Sequence, residues 1–483
     1  MSRTFSSSQD VASAGASFPC PRAAEETFAR ALELHREGEL VAAESLYLQA
    51  LSLCPEHGEA CFYLGLLYSA GNRLAEAENC LALAQVIVPE SPAIAFQLGT
   101  LLHARGQREM AIEQFQKTLA LDPLHWQAAY NLGTVLLAAG KTAEAIASYE
   151  KAASLQPGDA DIHFNLGLAY SKAGRLAEAV QAYLRALEMA PDDAEVHYNL
   201  ALLYKKLDCK EEAVASLELA VALRPDYAQA HGNLGVLYLE QGRVEAAAAC
   251  YRRLIDLGHN IESARHILAA LTGITTLTAP SSYIADLFDS FSGHFEERLL
   301  VDLEYRTPWE LKSLLEAETG REQAYSRLLD LGCGTGLVGQ VFADLVPWRV
   351  GVDLSPGMIE QAAAKKVYAH LEVAEIVDFL SRHQESYDLI VAADVLIYVG
   401  ELEKIFLLLA QRLAAGGRIL FSTELVEGEG YVLRQSGRFA HSSHYINAIA
   451  EKAGLRVLAA QSARIRKEKG EWIVGSLFLL CKE

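Results

Sequence analysis

The chain has no uninterrupted apolar run of about 18 residues, the length a helix needs to span a bilayer, so no membrane-spanning helix is expected. Residues 1–22 lack the basic start and apolar core of a secretion signal. They are rich in serine and small side chains and read as a disordered leader. Basic charge is also scarce, with 42 Lys and Arg against 62 Asp and Glu and a formal net charge of -20. Nucleic acid is bound by a basic surface that displaces counterions from phosphate, so it is excluded as the main partner. The eight cysteines (Cys20, Cys54, Cys61, Cys80, Cys209, Cys250, Cys333 and Cys481) include no close-spaced ligand pair, and histidines and carboxylates form no tight cluster. No metal site is therefore expected. Several of these cysteines sit in apolar helical patterns, as buried free thiols do. The expected compartment is a reducing cytoplasm. With 483 residues, 51% of them apolar, the chain is long enough for about two to four domains, each with its own core.

What the first half does have is a period. Pro55, Pro89, Pro123, Pro157, Pro191 and Pro225 recur every 34 residues. A Leu-Gly pair keeps the same register (Leu64-Gly65, Leu98-Gly99, Leu132-Gly133, Leu166-Gly167, Leu234-Gly235). A small residue follows one helix later, at Ala77, Ala111, Ala145, Ala179 and Ala213. Small residues let two antiparallel helices approach, an aromatic or leucine fills the groove, and the proline opens the next unit. The pattern resembles tetratricopeptide repeats, about seven units between Ala24 and Ile261 with a degenerate first unit and a capping helix after the last. Immediately before the Leu-Gly position stand Asn131, Asn165, Asn199 and Asn233. A side-chain amide both donates and accepts, so it can pair with a peptide backbone of any sequence. Peptide-binding arrays of this family carry such an asparagine ladder, which implies a peptide or protein partner in the groove. The alternative is that these asparagines brace neighbouring repeats.

The second half is organised around Leu328-Leu-Asp-Leu-Gly-Cys-Gly-Thr-Gly336. Leu328, Leu329 and Leu331 around Asp330 read as a short strand buried on both faces. Gly332, Gly334 and Gly336 let the backbone turn and let a ligand approach it closely. Such a turn also serves dinucleotides, but no Lys-Ser or Lys-Thr pair closes it, which disfavours a triphosphate cradle. A second apolar strand, Arg349 to Asp353, ends in a carboxylate placed to accept hydrogen bonds from a ribose diol. This segment resembles motif I of the class I S-adenosylmethionine-dependent methyltransferases. The resemblance implies S-adenosylmethionine as cofactor, with Asp330 near its methionine end, Gly332, Cys333, Gly334 and Gly336 wrapping it, and Asp353 with Leu354 at the ribose. It also places Glu375 at the adenine amino group, Ile376 against the ring, and Met358 at either the adenine or the core.

Upstream, Thr272 to Ser282 breaks the helical period and reads as a join. The apolar face of Ile284, Leu287, Phe288 and Phe291 is either simple packing or a lid that excludes water. Bacterial fusions of tetratricopeptide repeats with methyltransferases have similar entrance helices, which puts Tyr283 and Phe295 near the cofactor and makes His294 a candidate proton acceptor. Downstream, Tyr387 to Ala393 is a fourth strand. Asp394 and Tyr398 match motif IV, which borders the methyl group and the acceptor. Ala415-Gly-Gly417 is expected to end the helix Leu402 to Leu413, with Arg418 to Glu424 as the fifth strand. In the polar cluster 437–445, His441 is a candidate base and Arg438 a candidate partner for an acidic acceptor; local capping is the alternative. Leu455 to Ala463 and Trp472 to Cys481 are expected as antiparallel strands around a polar hairpin, Arg464 to Glu471.

The expected fold is an all-α tetratricopeptide solenoid followed by an α/β Rossmann-like class I methyltransferase domain. Its parts are a leader (1–22), repeats with a capping helix (23–271), linker and entrance helices (272–325) and a catalytic core (326–483). The expected function is S-adenosylmethionine-dependent methylation of a peptide or protein recruited by the repeats. The alternatives are a small-metabolite acceptor with repeats for assembly, and a non-catalytic scaffold.

Overall fold

The computed structural model describes residues 20–289, 295–320, 324–468 and 470–482. The chain divides between Pro225 and Asp226 into two compact units. The first is built of antiparallel helix pairs: α1 (Arg22–Glu37) with α2 (Leu40–Leu53), α3 (Gly58–Ala70) with α4 (Leu74–Ile87), and α5 (Pro92–Ala104) with α6 (Arg108–Leu121). It continues with α7 (Trp126–Ala138) and α8 (Thr142–Leu155), α9 (Ala160–Lys172) and α10 (Leu176–Met189), then α11 (Ala194–Lys206) and α12 (Lys210–Leu223). The 34-residue register becomes packing where the repeated glycine meets the partner helix. A Cβ on Gly133 would stand 2.8 Å from the Tyr149 ring, and one on Gly167 2.7 Å from that of Tyr183. Ala145 and Ala179, on the helices carrying those rings, have no exposed surface. Ser91, Asp159 and Asp193 cap the helices they precede by accepting backbone N–H bonds.

One sequence expectation changes here. Cys20 and Cys54 are not free thiols; they are joined in a disulfide. Cys61, Cys80, Cys209, Cys250, Cys333 and Cys481 are free.

The second unit opens with α13 (Ala228–Glu240), α14 (Val244–Asp256) and α15 (Ile261–Thr272). The last repeat thus belongs with the second unit, although the sequence period changes only at Thr272. After α16 (Ser281–Asp289) come α17 (Phe295–Glu297), a π-helical turn (Arg298–Asp302) and α18 (Thr307–Thr319). The sheet strands are β1 (Arg327–Leu331), β2 (Trp348–Asp353), β3 (His370–Val373), β4 (Tyr387–Ala392), β5 (Leu413–Leu425), β6 (Tyr431–Leu433), β7 (Phe439–His441), β8 (Leu455–Glu468) and β9 (Glu471–Lys482). Strands β3-β2-β1-β4-β5 run parallel in that order, β9 pairs antiparallel with β5, and β8 pairs with β9. Central β1 is buried on both faces, with Leu328, Leu329, Asp330 and Leu331 all fully inaccessible, as an inner parallel strand requires. Its two neighbours β2 and β4 lie on opposite sides, so the chain reverses direction across the sheet at the tip of β1, where open α/β sheets place ligands.

Two expectations about this sheet are corrected, and one strand is added to them. Ala415-Gly-Gly417 does not end a helix: α22 (Glu403–Arg412) runs directly into β5, whose register against β4 shifts between Tyr387 and Leu389. Residues 439–441 form a strand parallel to the end of β5, with α23 (Ser443–Lys452) after it. The polar segment 464–471 is mostly strand, because β8 extends to Glu468.

The segment after α15 is strapped to the sheet's loops. Leu277 O accepts from Gly400 N and Glu401 N (2.9 and 2.8 Å), and Ala279 N donates to Tyr398 O (2.9 Å). His266 on α15, itself buried, donates Nε2–H to Gly437 O (2.9 Å) in the turn between β6 and β7.

Candidate active site

A cavity of about 420 Å³ opens at the tips of β1, β2 and β4. On one side it is walled by Gly332, Cys333, Gly334 and Thr335, with Asp353, Leu354, Glu375 and Ile376 beyond them. The loop is held from below. Gly332 N and Cys333 N donate to Val352 O (2.8 and 3.0 Å). Gly334 N donates to Asp353 Oδ2 and Ser355 N to Asp353 Oδ1 (2.8 and 2.9 Å). Gly332 has φ +68°, and a Cβ there would lie 2.4 Å from Val395 Cγ2. A side chain is barred by both conformation and space. Gly334, in contrast, has nothing within 4 Å of where a Cβ would be. A ligand can therefore lie directly on the backbone. Glu375 caps α21 (Ile376–Arg382) by accepting from Asp378 N (3.0 Å).

The opposite end carries the charged groups. β4 stops at Ala392, and Asp394 adopts a left-handed conformation (φ 58°) that aspartate tolerates better than most residues. Its N–H donates to buried Ser422 Oγ (2.8 Å). Its two carboxylate oxygens accept from Arg466 Nη1 (2.9 and 2.8 Å). Arg466, only 2% exposed, also binds Glu424 through Nη2 and Glu468 through Nε (2.7 Å). Arg438 donates to the same Glu468 oxygen, and its charge stands beside the Tyr398 hydroxyl. Burial raises Glu424 above the ordinary carboxylate range, with Arg466 opposing it. Burial also works to raise Glu468, but the two guanidiniums outweigh it and hold that carboxyl low. Apolar side chains of Ile284, Phe288, Leu299, Leu303 and Pro308 close the remaining wall with Tyr305. Among the described residues, no group of three or more His, Cys, Asp or Glu is arranged to hold a metal ion.

Residues 303–460 match a family described as Methyltransferase domain. Residues 136–203, and residues 96–160 with 198–260, match two families described as Tetratricopeptide repeat. The chain is a tetratricopeptide-repeat array fused to a methyltransferase domain. It is similar to the ubiquinone biosynthesis O-methyltransferase of Saccharophagus degradans, 28% identical over 131 residues that cover 24% of this chain and 56% of that protein. It is also similar to the malonyl-[acyl-carrier protein] O-methyltransferase of Bacillus cereus, 35% identical over 119 residues that cover 23% and 42%. The chain thus spans about half the length of these curated relatives. Among solved structures, the C-terminal part of a TPR repeat-containing protein from Cytophaga hutchinsonii has 16% identity and a TM-score of 0.44, covering 49% of this chain and 98% of that one.

The cavity of the methyltransferase domain brings together Gly332, Cys333, Gly334, Asp353, Leu354, Glu375, Ile376, Asp394, Tyr398 and Arg438. Five other expected site residues stand off the wall. Asp330 is wholly buried, accepts a hydrogen bond from Tyr368 OH (2.5 Å), and is pushed up to about 7 by burial, with the Tyr368 bond opposing and Asp353 adding to the rise. Gly336 (φ 93°) precedes α19 (Leu337–Val341). Met358 is buried in α20 (Pro356–Ala364). The Tyr283 ring packs on His266, with 5.0 Å between centroids. His441 is not placed to take a proton from an acceptor: it is buried, and its Nε2–H lies 2.9 and 3.0 Å from Val399 O and Gly400 O, which brace the Tyr398 loop. Burial drives its pKa down to about 4 against the pull of those carbonyls. His294 lies outside the described residues, as does the Phe295 side chain.

The sequence reading missed Arg466, Glu424 and Glu468. The pairing of β8 with β9 shifts between Arg464 and Arg466, and a bulge re-aims side chains. A polar run written as R-I-R-K-E carries no sign of which arginine turns inward. In the repeats, Asn165 donates to Asp161 O (2.9 Å) and to Tyr130 OH of the preceding repeat (3.0 Å). Asn199 and Asn233 likewise donate to the carbonyl four residues back. Asn131 is half-buried at the same position of α7.

Proposed function

We propose that the methyltransferase domain takes S-adenosylmethionine and methylates an acceptor carried by a peptide or protein that the repeats recruit. The observation that supports the cofactor is the cradle at the tip of β1. Gly334 leaves its backbone open to a ligand, and Asp353 stands beside it at the tip of β2. In this reading Asp353 receives the ribose hydroxyls, Glu375 and Ile376 the adenine, and the Gly332–Thr335 loop the methionine end. The bound cofactor supplies a methyl group already activated on a sulfonium. The chain's own task is then to align the acceptor and exclude water, and Ile284, Phe288, Leu299 and Leu303 suit the second part. Both relatives are O-methyltransferases, which favours an oxygen acceptor.

Calorimetric titration with S-adenosylmethionine tests the cofactor. The wild-type chain is expected to bind it, and Gly332→Ala to bind at least about 10-fold more weakly, since its Cβ forces Val395 or the loop to move. Equal affinity in the two proteins would contradict the cradle. Recruitment is tested separately with Asn165→Ala/Asn199→Ala. Labelling of the protein fraction by radioactive cofactor is expected to fall about 10-fold, the loss of one or two backbone hydrogen bonds, while cofactor affinity is unchanged. A second reading rests on the Asn165 bond to Tyr130, which suits a bracing role. In it the repeats serve assembly and the acceptor is a small metabolite, so all label appears in small molecules.

A further inference from the structure

Resting on the methyltransferase reading, we infer that the acceptor group is a carboxylate, anchored by Arg438 and Tyr398 and converted to a methyl ester. The first reason is the state of the proton acceptors. Among the described residues of the wall there is no histidine and no lysine. Both oxygens of Asp394 are engaged by Arg466, those of Asp353 hold Gly334 N and Ser355 N, and Glu375 caps α21. His441 and His266 are not on the wall, and both spend Nε2–H on backbone carbonyls. A hydroxyl or an ammonium acceptor must lose a proton to react. A carboxylate, with an ordinary pKa of about 4, arrives already deprotonated.

The second reason is charge. Asp394, Glu424 and Glu468 meet Arg434, Arg438 and Arg466, three against three, so the acceptor end is balanced before any substrate enters. An anionic acceptor at that end therefore meets no unpaired acid of the cluster, and it faces Arg438 and the cationic sulfonium. Arg438 is the arginine on the wall with exposed surface (22%), whereas Arg466 is closed in by its three acids. The Tyr398 hydroxyl, on the same wall as Arg438, adds a second polar group there.

In the step itself a carboxylate oxygen forms a bond to the methyl carbon while the methyl–sulfur bond breaks. That bond's electron pair returns to sulfur, leaving a thioether and a methyl ester, and no proton moves. Two opposite charges vanish together, which an apolar wall of Ile284, Phe288, Leu299 and Leu303 favours.

Two measurements on the full chain test this. In the first, phenylglyoxal modification of Arg438 is followed by peptide mass spectrometry. Short-chain carboxylic acids are expected to slow it and the matched amides are not; equal protection by both overturns the inference. In the second, the chain is given radiolabelled S-adenosylmethionine with desalted lysate or with a panel of carboxylic acids, alcohols and amines. The label is expected to become volatile on mild alkali, as ester-borne methanol. It should fall about 10- to 100-fold in Arg438→Lys, the loss of a charge-assisted bond, and less in Tyr398→Phe. Size filtration of the labelled lysate distinguishes a protein-borne acid from a free one. Alkali-stable label, or equal labelling by Arg438→Lys, overturns the carboxylate assignment while leaving the methyltransferase reading intact. Absence of cofactor binding in the wild type sinks that underlying reading instead.

Discussion

Arg466→Met is expected to destabilise the second unit by about 3–5 kcal/mol, visible as a fall of roughly 10 °C in its thermal transition. The arginine is buried and answers three carboxylates, Asp394, Glu424 and Glu468. Methionine matches much of its volume and none of its charge, so the cost is that of acids left unpaired inside the protein. Two internal checks are available. Lowering the pH should narrow the gap between variant and wild type, because protonation removes the same unpaired charge. Glu424→Gln, combined with Arg466→Met, should recover part of the loss, since Glu424 is the most enclosed of the three. A transition that stays within a degree or two of wild type at neutral pH would show that the cluster contributes little.

Asp330→Asn and His441→Gln are expected to change the pH dependence of stability in opposite directions. Burial raises Asp330 to about 7. Between its unfolded value, near 4, and 7 the native state therefore holds a proton that the unfolded chain has released. Stability from this group falls as pH rises through that window, by roughly 4 kcal/mol in all. His441 is depressed to about 4. Between 4 and its unfolded value, near 6.5, the unfolded chain holds the extra proton, so stability from this group rises with pH by about 3 kcal/mol. In the wild type the two slopes largely cancel. Asp330→Asn should gain stability relative to wild type as pH rises from 4 to 7, and His441→Gln should lose it over 4 to 6.5. Urea unfolding of the second unit at several pH values measures both, and parallel curves for all three proteins would refute the assignment.

Much of the architecture was legible because it is periodic or local. Leu132-Gly133 and Tyr149 repeat because two helices must close on one another, and the same close approach recurs at Gly65, Gly99, Gly167 and Gly235. The loop from Gly332 to Gly336 was legible because left-handed backbone strongly favours glycine. Asp353 was legible because it ends an apolar strand. The join at Thr272–Ser282 was legible as a break in the helices but not as part of a wall, for an equally physical reason. Its threonines and proline break a helix, but breaking a helix does not show where the freed backbone bonds go. Here they go to Tyr398, Gly400 and Glu401, so the segment forms part of the cavity wall.

By itself the amino-acid sequence determined the repeat, the parallel strands on either side of the glycine-rich loop, and the half of the cavity that this loop lines, since each is encoded by residues close in the chain. Only the tertiary structure decided the other half. It took His441 away from the acceptor and turned it into a brace, and it set Arg466 against Asp394, Glu424 and Glu468. It also seated the last repeat's capping helix on the turn that carries Arg438. Those groups are separated by tens to hundreds of residues, and they meet only where a bulge, a parallel crossover and a strapped connection bring them to one end of the sheet.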